Sequence, residues 1–472
     1  MTSPLLTSEK LNDLQRESFA YFVNETNPAN GLIADRTKAG TPASIAAVGL
    51  GLASYPVGVE RGFLTREDAV DRTLTTLRFL RDAPQGKSAT ATGYKGFYYH
   101  FLDMQTGARF GNCELSTIDS TYAIAGMLAA AAYFTAESRS EHEIRSLADG
   151  LYRRVDWRWA LDSGATVTHG WKPETGFLPD RWEGYSEALL LYILGLGSPT
   201  HPLADESYTA WTSTYKWRKI YDHEYLYSGP LFTHQLSHVW VDFRGIADEY
   251  MRDKCIDYFE NSRRATYAQQ QYAIHNPGQF KGYGKDCWGI TSSDGPGWIT
   301  CEVDGRERHF FHYAARGIPD GPDDGTIAPW AAAASLPFAP EIVLAALQDF
   351  DNLKLRMNNS YGYKATFNPT YPVTSAPADC WVSPCHLGLN QGPVVLMIEN
   401  ARSGLLWRLM RQCPYLVKGL HQAGFTGGWL GAESPRAWCT NASEMKPASG
   451  RAQRIAVPSN SRPSNEKQPD GV

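Results

Sequence analysis

The chain predicts an all-α fold, an (α/α)6 barrel of two concentric helix rings, on three observations. Roughly a dozen segments carry helical periodicity. Several of these are apolar on every face rather than along one stripe, and such a helix has to be enclosed by others. Short turns between helices alternate with long aromatic or acidic loops, and short connections make consecutive helices antiparallel neighbours. The strand–helix alternation of a parallel sheet is missing. An outer ring covering an inner one meets all these demands, with the long loops gathered at the mouths of the inner helices.

In chain order, Leu11–Val23 reads as a helix with Leu11, Leu14, Phe19, Phe22 and Val23 on its apolar side, followed by a loop at Gly31–Arg36. Ser44–Tyr55 is a small-residue helix ended by Pro56, and Thr65–Arg81 is amphipathic, opened by Thr65 with Glu67 and Asp68 in its first turn. Gly93–Leu102 shows no helical period and reads as a strand pair or an aromatic loop. Cys113–Asp119 leads into the apolar run Ala123–Ala132, and Ser116-x-x-Asp119 fits a capping box. Glu141–Ala160 is a further helix, with Trp157 and Trp159 near its end.

The stretch Arg181–Gly197 is the most informative. From Ala188 to Leu196 nearly every residue is apolar. Glu183 and Glu187 stand four apart just before that run, on one face at helical spacing. Pro199–Pro202 breaks the chain, Gly229–Trp240 follows, and Tyr250–Ala273 reads as one long helix. The Gly- and Asp-rich segment Gly282–Gly297 is too irregular for core structure, and long loops of this kind are disproportionately functional. Asp323–Pro329 caps a helix of alanines, and Ser335–Pro340 links it to Glu341–Leu347. Trp381–Gly392 is a second irregular loop. Pro393–Ala401 starts a helix with Pro at its first position, and Arg402–Met410 is the last clear helix. Residues 1–432 are expected to form a single barrel domain. From Glu433 onward Pro, Ser, Asn and charge dominate, so 433–472 reads as a disordered tail.

The totals exclude several classes. A net charge of -5, spread without long runs of one sign, argues against nucleic-acid or anionic-membrane partners. Eight scattered cysteines with no C-x-x-C pair argue against a zinc site and against a compact disulfide framework. The apolar run Ala123–Ala132 is shorter than a membrane span, and the start lacks the apolar region of a signal peptide. The chain as written reads as cytoplasmic, or as periplasmic or secreted where a leader has been trimmed. Oligomeric state leaves no trace in the sequence.

A buried helix whose mouth carries carboxylates and aromatic rings suits protonation of a flat, hydroxylated ligand. Glu187 is the candidate acid, since burial against the apolar run favours its neutral form while the helix dipole opposes it. Candidate second carboxylates are Asp119 and Glu114 at another helix mouth, and Asp294 in the irregular loop. Glu399 is a further candidate, although Arg402 three residues on is placed to pair with it. Trp182, Tyr185, Trp288 and Trp381 offer stacking faces, with core packing the alternative for each. His234 and Gln235 are candidate hydroxyl ligands.

Several segments together resemble one family. They are Gly31-Leu-x-x-Asp35-Arg36, Tyr98-Tyr-His-Phe-Leu-Asp103, Glu114-Leu-Ser-Thr-Ile-Asp119, Tyr185 to Pro199, Phe232 to Trp240, Tyr258 to Arg264, Tyr283 to Pro296 and Trp381 to Asn400. In order and spacing they are similar to the glycoamylase-like proteins of glycoside hydrolase family 144, which includes endo-β-1,2-glucanases. The resemblance spans about residues 10–410. It implies one (α/α)6 barrel with a long cleft, no metal cofactor, and hydrolysis of β-1,2-glucan or of sophoro-oligosaccharides. It also implies Glu187 as the acid, and Arg263 and Gln391 as sugar ligands in matched motifs. Lys364 and Ala365 depart from the acidic pattern expected there.

Glycosidic cleavage pairs an acid with a second carboxylate that activates water or attacks directly. The expectation is an inverting hydrolase with Asp119 ranked first as base. A polysaccharide lyase, or a glucan-binding or transglycosylating protein on the same barrel, is the alternative.

Overall fold

The computed structural model describes residues 8–373 and 380–431, so the expected C-terminal tail lies outside the described residues. The helices are α1 (Ser8–Asn24), α2 (Ile45–Arg61), α3 (Arg66–Asp82), α4 (Thr117–Tyr133), α5 (Arg139–Arg153), α6 (Leu189–Gly197), α7 (Asp205–Thr212) and α8 (Leu236–Trp240). They continue as α9 (Glu249–Asp253), α10 (Tyr258–His275), α11 (Pro329–Ala334), α12 (Pro340–Asn352), α13 (Gly388–Arg402), α14 (Leu405–Met410) and α15 (Pro414–Gln422).

Six of them are enclosed on nearly every side. Every residue of α6, α8 and α11 is buried, as are the first fourteen of α2 and of α4 and almost all of α13 up to Asn400. Before each stands a helix with one buried face: α1, α3, α5, α7, α10 and α12. Inner and outer helices alternate along the chain, which is the (α/α)6 barrel that the all-apolar helices require.

The inner helices touch in ring order, with α2 on α4, α4 on α6 and α6 on α8, while α13 meets α8, α11 and α2. Gln235 closes the gap between α8 and α11, its amide donating to Ala331 O (2.6 Å) and Ser335 Oγ (2.7 Å). Where α2 crosses α4, a Cβ on Gly126 would collide with the Gly49 carbonyl, so the two backbones meet without side chains between them.

Connections leaving the inner helices are short, as at 62–65, 134–138 and 335–339, whereas those entering them are long: 25–44, 83–116, 154–188, 213–235, 276–328 and 353–387. The long loops therefore share one face of the barrel, at the N-terminal ends of the inner helices. They carry small antiparallel sheets. The largest orders Gly93–Tyr94, Phe97–Tyr99, Leu115–Ser116, Gly170–Lys172 and Gly176–Phe177, which resolves Gly93–Leu102 as strands. Among the described residues no helix is long and apolar enough to cross a membrane.

Six sequence expectations are corrected. Pro56 does not end α2, which runs on to Arg61 and stops where Gly62 turns left-handed (φ 69°). The helix expected to reach Ala160 ends at Arg153, leaving Trp157 and Trp159 to pack beside Phe97. Helix α6 begins at Leu189, and Gly184 (φ 70°) turns the backbone before it, so Glu183 and Glu187 do not share a helical face. Tyr250–Ala273 is two helices, interrupted at Cys255 (φ 57°), with Asp257 capping the second. Helix α13 starts at Gly388 with Pro393 inside it, and α15 follows the helix expected to be last.

Glu399 is also reassigned. It sits eleven residues into α13, about 16 Å along the axis from the mouth at 1.5 Å per residue. There it pairs bidentately with Arg61 (2.6 and 2.7 Å) and accepts from Gln15 and Ser403. The partner expected from sequence, Arg402, bonds Gln15 and Asn12 instead. The pair ties the far ends of α2 and α13 to α1. Glu399→Gln, which strands Arg61, is expected to cost about 3–5 kcal/mol of stability, read as a lower unfolding midpoint in denaturant, while the folded fraction keeps its ligand affinity.

Candidate functional site

The long loops surround a cavity of about 440 Å³, and each inner helix, or the loop leading into it, contributes to its lining. Asp35 and Arg36 come from the loop before α2. His100 and Phe101 precede α4, whose first turns add Ile118, Asp119 and Tyr122. Glu187 stands just ahead of α6. Phe232 precedes α8 and Leu236 opens it; Ser292 to Asp294, His312 and Tyr313 belong to the approach to α11, and Trp330 to its first turn. Leu387, Leu389 and Asn390 come from α13. Helix N-termini present partial positive charge and unpaired N–H groups, so this convergence favours anionic side chains.

Four carboxylates line the cavity, and their surroundings differ. Arg36 bridges two of them, with Nε 2.8 Å from Asp35 and Nη1 3.1 Å from Asp294 Oδ2. The other oxygen of Asp294, Oδ1, is buried without a hydrogen-bond partner. Asp119 caps its own helix through Ser116: the Ser116 hydroxyl accepts from Asp119 N–H (3.2 Å) and donates to Asp119 Oδ2 (2.5 Å). His100 Nε2 lies 3.7 Å from the same Oδ2.

Glu187 alone has no cation beside it among the described residues. Burial raises its pKa to about 7; its own backbone N–H opposes the rise and the charge of Asp119 adds to it. At neutral pH this carboxyl is therefore protonated about half the time, which suits a proton donor.

His100 behaves oppositely. Burial alone would lower its pKa, but the charge of Asp119 and the Nδ1–H bond to Glu114 (2.8 Å) outweigh it and carry the group to about 9. The imidazolium stacks on Phe101 with ring centroids 4.0 Å apart. Glu114 stands behind it, off the cavity, and the hydrogen bond and charge of His100 hold its carboxyl below the usual range against the effect of burial. Tyr313 is raised to about 12 by burial of its hydroxyl end and by Glu187, Asp294, Asp119 and Asp35.

Of the residues singled out from sequence, Glu187, Asp119 and Asp294 meet in the cavity, and Glu114 reaches it only through His100. The other candidates do not line it. Tyr185 is buried against Tyr215, Tyr258 and His234. His234 is enclosed, its Nε2 bonded to Ser228 O and its pKa lowered to about 4 by burial. Gln235 holds α8 to α11, and Gln391 donates to Tyr363 O within the core. Trp288 is wholly buried. Arg263 lies on the outer helix α10, paired with Glu260 (2.7 Å). Trp381 is half-buried in a two-residue strand opposite Asn368. Trp182 is nearest the mouth, its indole N–H donating to Thr117 Oγ1 (3.0 Å) at the start of α4 and its ring stacked on His169. Ala365 is buried with Cys385 and Leu387.

Sequence reasoning passed over Asp35, Arg36, His100, Tyr122, His312 and Tyr313. Asp35, Arg36 and His100 fall within segments that carried the family resemblance, and Tyr122 stands three residues after Asp119, on the same helical face. His312 and Tyr313 follow a hairpin and have no periodic context. Among the described residues no group of three or more His, Cys, Asp or Glu side chains is placed to hold a metal ion.

With this geometry in hand, comparison with known proteins is decisive for the family. The profile of the Glycoamylase family, described as "Putative glucoamylase", matches residues 179–414. The chain belongs to this family. A crystal structure from Bacteroides uniformis described as a "putative glucoamylase" is 33% identical, with a TM-score of 0.79 over 91% of this chain and 100% of that one. An endo-β-1,2-glucanase from Chitinophaga pinensis, solved with sophorotriose and glucose, is 27% identical, with a TM-score of 0.78 over 90% of this chain and 100% of that one. A curated relative from Parabacteroides distasonis, an exo β-1,2-glucooligosaccharide sophorohydrolase acting at the non-reducing end, is 30% identical over 453 residues. That alignment covers 89% of this chain but only 58% of the relative's length.

The raised pKa of Glu187 has a consequence for stability. The folded protein retains a proton that the unfolded chain releases between the ordinary value of 4.5 and about 7. The stabilisation is full below 4.5 and lost as pH rises through 7. Glu187→Gln, which cannot ionise, is expected to be more stable than wild type above pH 7, by about 2–3 kcal/mol. That gain should vanish on acidification, as followed by unfolding midpoints across pH.

Proposed function

We propose that this protein is a glycoside hydrolase that cleaves β-1,2-glucan or β-1,2-linked gluco-oligosaccharides by general acid/base catalysis with inversion. One observation carries the reading: of the four carboxyls on the cavity, Glu187 alone lacks a cation and holds its proton near neutrality. The family and the names of two relatives supply the substrate class.

In the proposed reaction Glu187 donates its proton to the glycosidic oxygen as the bond to the anomeric carbon breaks. Asp119 takes a proton from the water that attacks that carbon from the opposite face, so a β-linkage yields an α-hemiacetal. Ser116 and His100 hold Asp119 in place. Arg36 fixes Asp294 through its Oδ2. Each later turnover requires the proton to return from Asp119 to Glu187 through solvent.

Incubation with linear β-1,2-glucan should release reducing ends, and proton NMR should show the α-anomer first. The rate should fall as pH rises through about 7, and Glu187→Gln should lower kcat by about 10²–10⁴-fold. Unsaturated products absorbing in the ultraviolet would point to a lyase instead, and a first-formed β-anomer would refute inversion.

A further inference from the structure

The approach to α11 contains an arm, residues 293–316, that the proposed chemistry uses only at its root. The root is closed by paired backbone hydrogen bonds between Ser293 and Ala314 (3.1 and 3.2 Å). Arg316 pins it from beneath. Its wholly buried guanidinium forms an ion pair with the equally buried Asp324 (2.7 Å) and donates to the carbonyls of Ser293, Phe311 and His312. The hairpin that forms the arm, Ile299–Val303 with Arg306–Phe310, is held again where Arg308 donates to Gly278 O (2.6 Å) and Gln279 O (3.0 Å). Val303 and Phe310 turn inward and are buried.

Toward its base the arm exposes apolar side chains. Seven large hydrophobic residues are exposed among the described residues, and three of them lie here: Trp298 at 73%, Tyr313 at 53% and Ile299 at 37%. Isolated exposed apolar residues need no explanation, but a cluster on one fixed segment does. The cluster is continuous with the cavity. Tyr313 lines the cavity, Phe311 stands two residues before it, and Trp298 packs edge-on against Phe311 with centroids 5.6 Å apart.

We propose that this arm is a second sugar-binding surface, on which Trp298 and Tyr313 stack the apolar faces of pyranose rings in a glucan chain running out of the cavity. The inference rests on the glucan reading above. An indole face covered by a sugar ring removes apolar area from water on both partners, and a pinned arm loses little conformational freedom on binding, so the contact is retained as affinity. A chain long enough to reach the arm gains this contact, whereas the shortest substrate does not.

The test compares wild type with Trp298→Ala and Trp298→Phe on β-1,2-gluco-oligosaccharides from the disaccharide upward. Trp298 is 73% exposed, so the changes alter its edge contact with Phe311 and leave the core intact. The ratio of kcat/KM for long to short substrates should fall about tenfold in Trp298→Ala, through KM, and recover largely in Trp298→Phe. An unchanged ratio in a protein that does hydrolyse the glucan would overturn the arm proposal and leave the proposed function standing. So would a change only in self-association measured by sedimentation, which would assign the arm to a second copy of the chain. Failure of wild type to act on any of these sugars would overturn both.

Discussion

A carboxylic acid enclosed at the mouth of an all-apolar helix, with no cation beside it, is the constraint around which the site is arranged. Removing a carboxylate from water costs far more than removing the neutral acid. Ahead of α6 that cost is met by holding the proton, which leaves Glu187 near half-protonated at pH 7. The helix N-termini that line the cavity favour the opposite outcome, so the burial of this one residue decides its state. Asp119 adds its negative charge in the same direction.

The cations of the site are engaged by the other carboxylates. Arg36 takes Asp35 and Asp294, and the His100 imidazolium takes Glu114 and faces Asp119. One cavity thus holds carboxyls of different character, the arrangement from which acid and base roles follow. The barrel makes this possible because short connections fall at one end and long loops at the other, and every loop over the mouth is anchored on a rigid helix start.

The architecture was legible because an inner helix such as Leu189–Gly197 leaves no polar face in the sequence, and nothing but a surrounding ring explains it. The capping arrangement at Ser116 and Asp119 was equally legible, since it depends only on local spacing. Helix ends were read less well. Pro56 and Pro393 sit inside helices whose packing outweighs the lost hydrogen bond, and the breaks at Gly184 and Cys255 depend on left-handed backbone that composition does not announce. Three of the four cavity carboxylates are legible in the sequence, Glu187 and Asp119 as acids at helix mouths and Asp294 as an acid in a long irregular loop. The aromatic candidates Tyr185 and Trp288 are buried, since a ring's chemistry does not say whether it faces the cleft or the core. Arg36 escaped as a site residue because Asp294 lies 258 residues away, and His100 because its segment has no helical period to show which way it faces.

The most direct test of the central claim is the titration of the Glu187 carboxyl itself, by isotope-edited infrared or carbon NMR difference spectra between wild type and Glu187→Gln. The burial around it predicts a midpoint near 7. A midpoint at the ordinary value of 4.5 would show an ionised carboxylate at neutral pH and contradict its role as the proton donor.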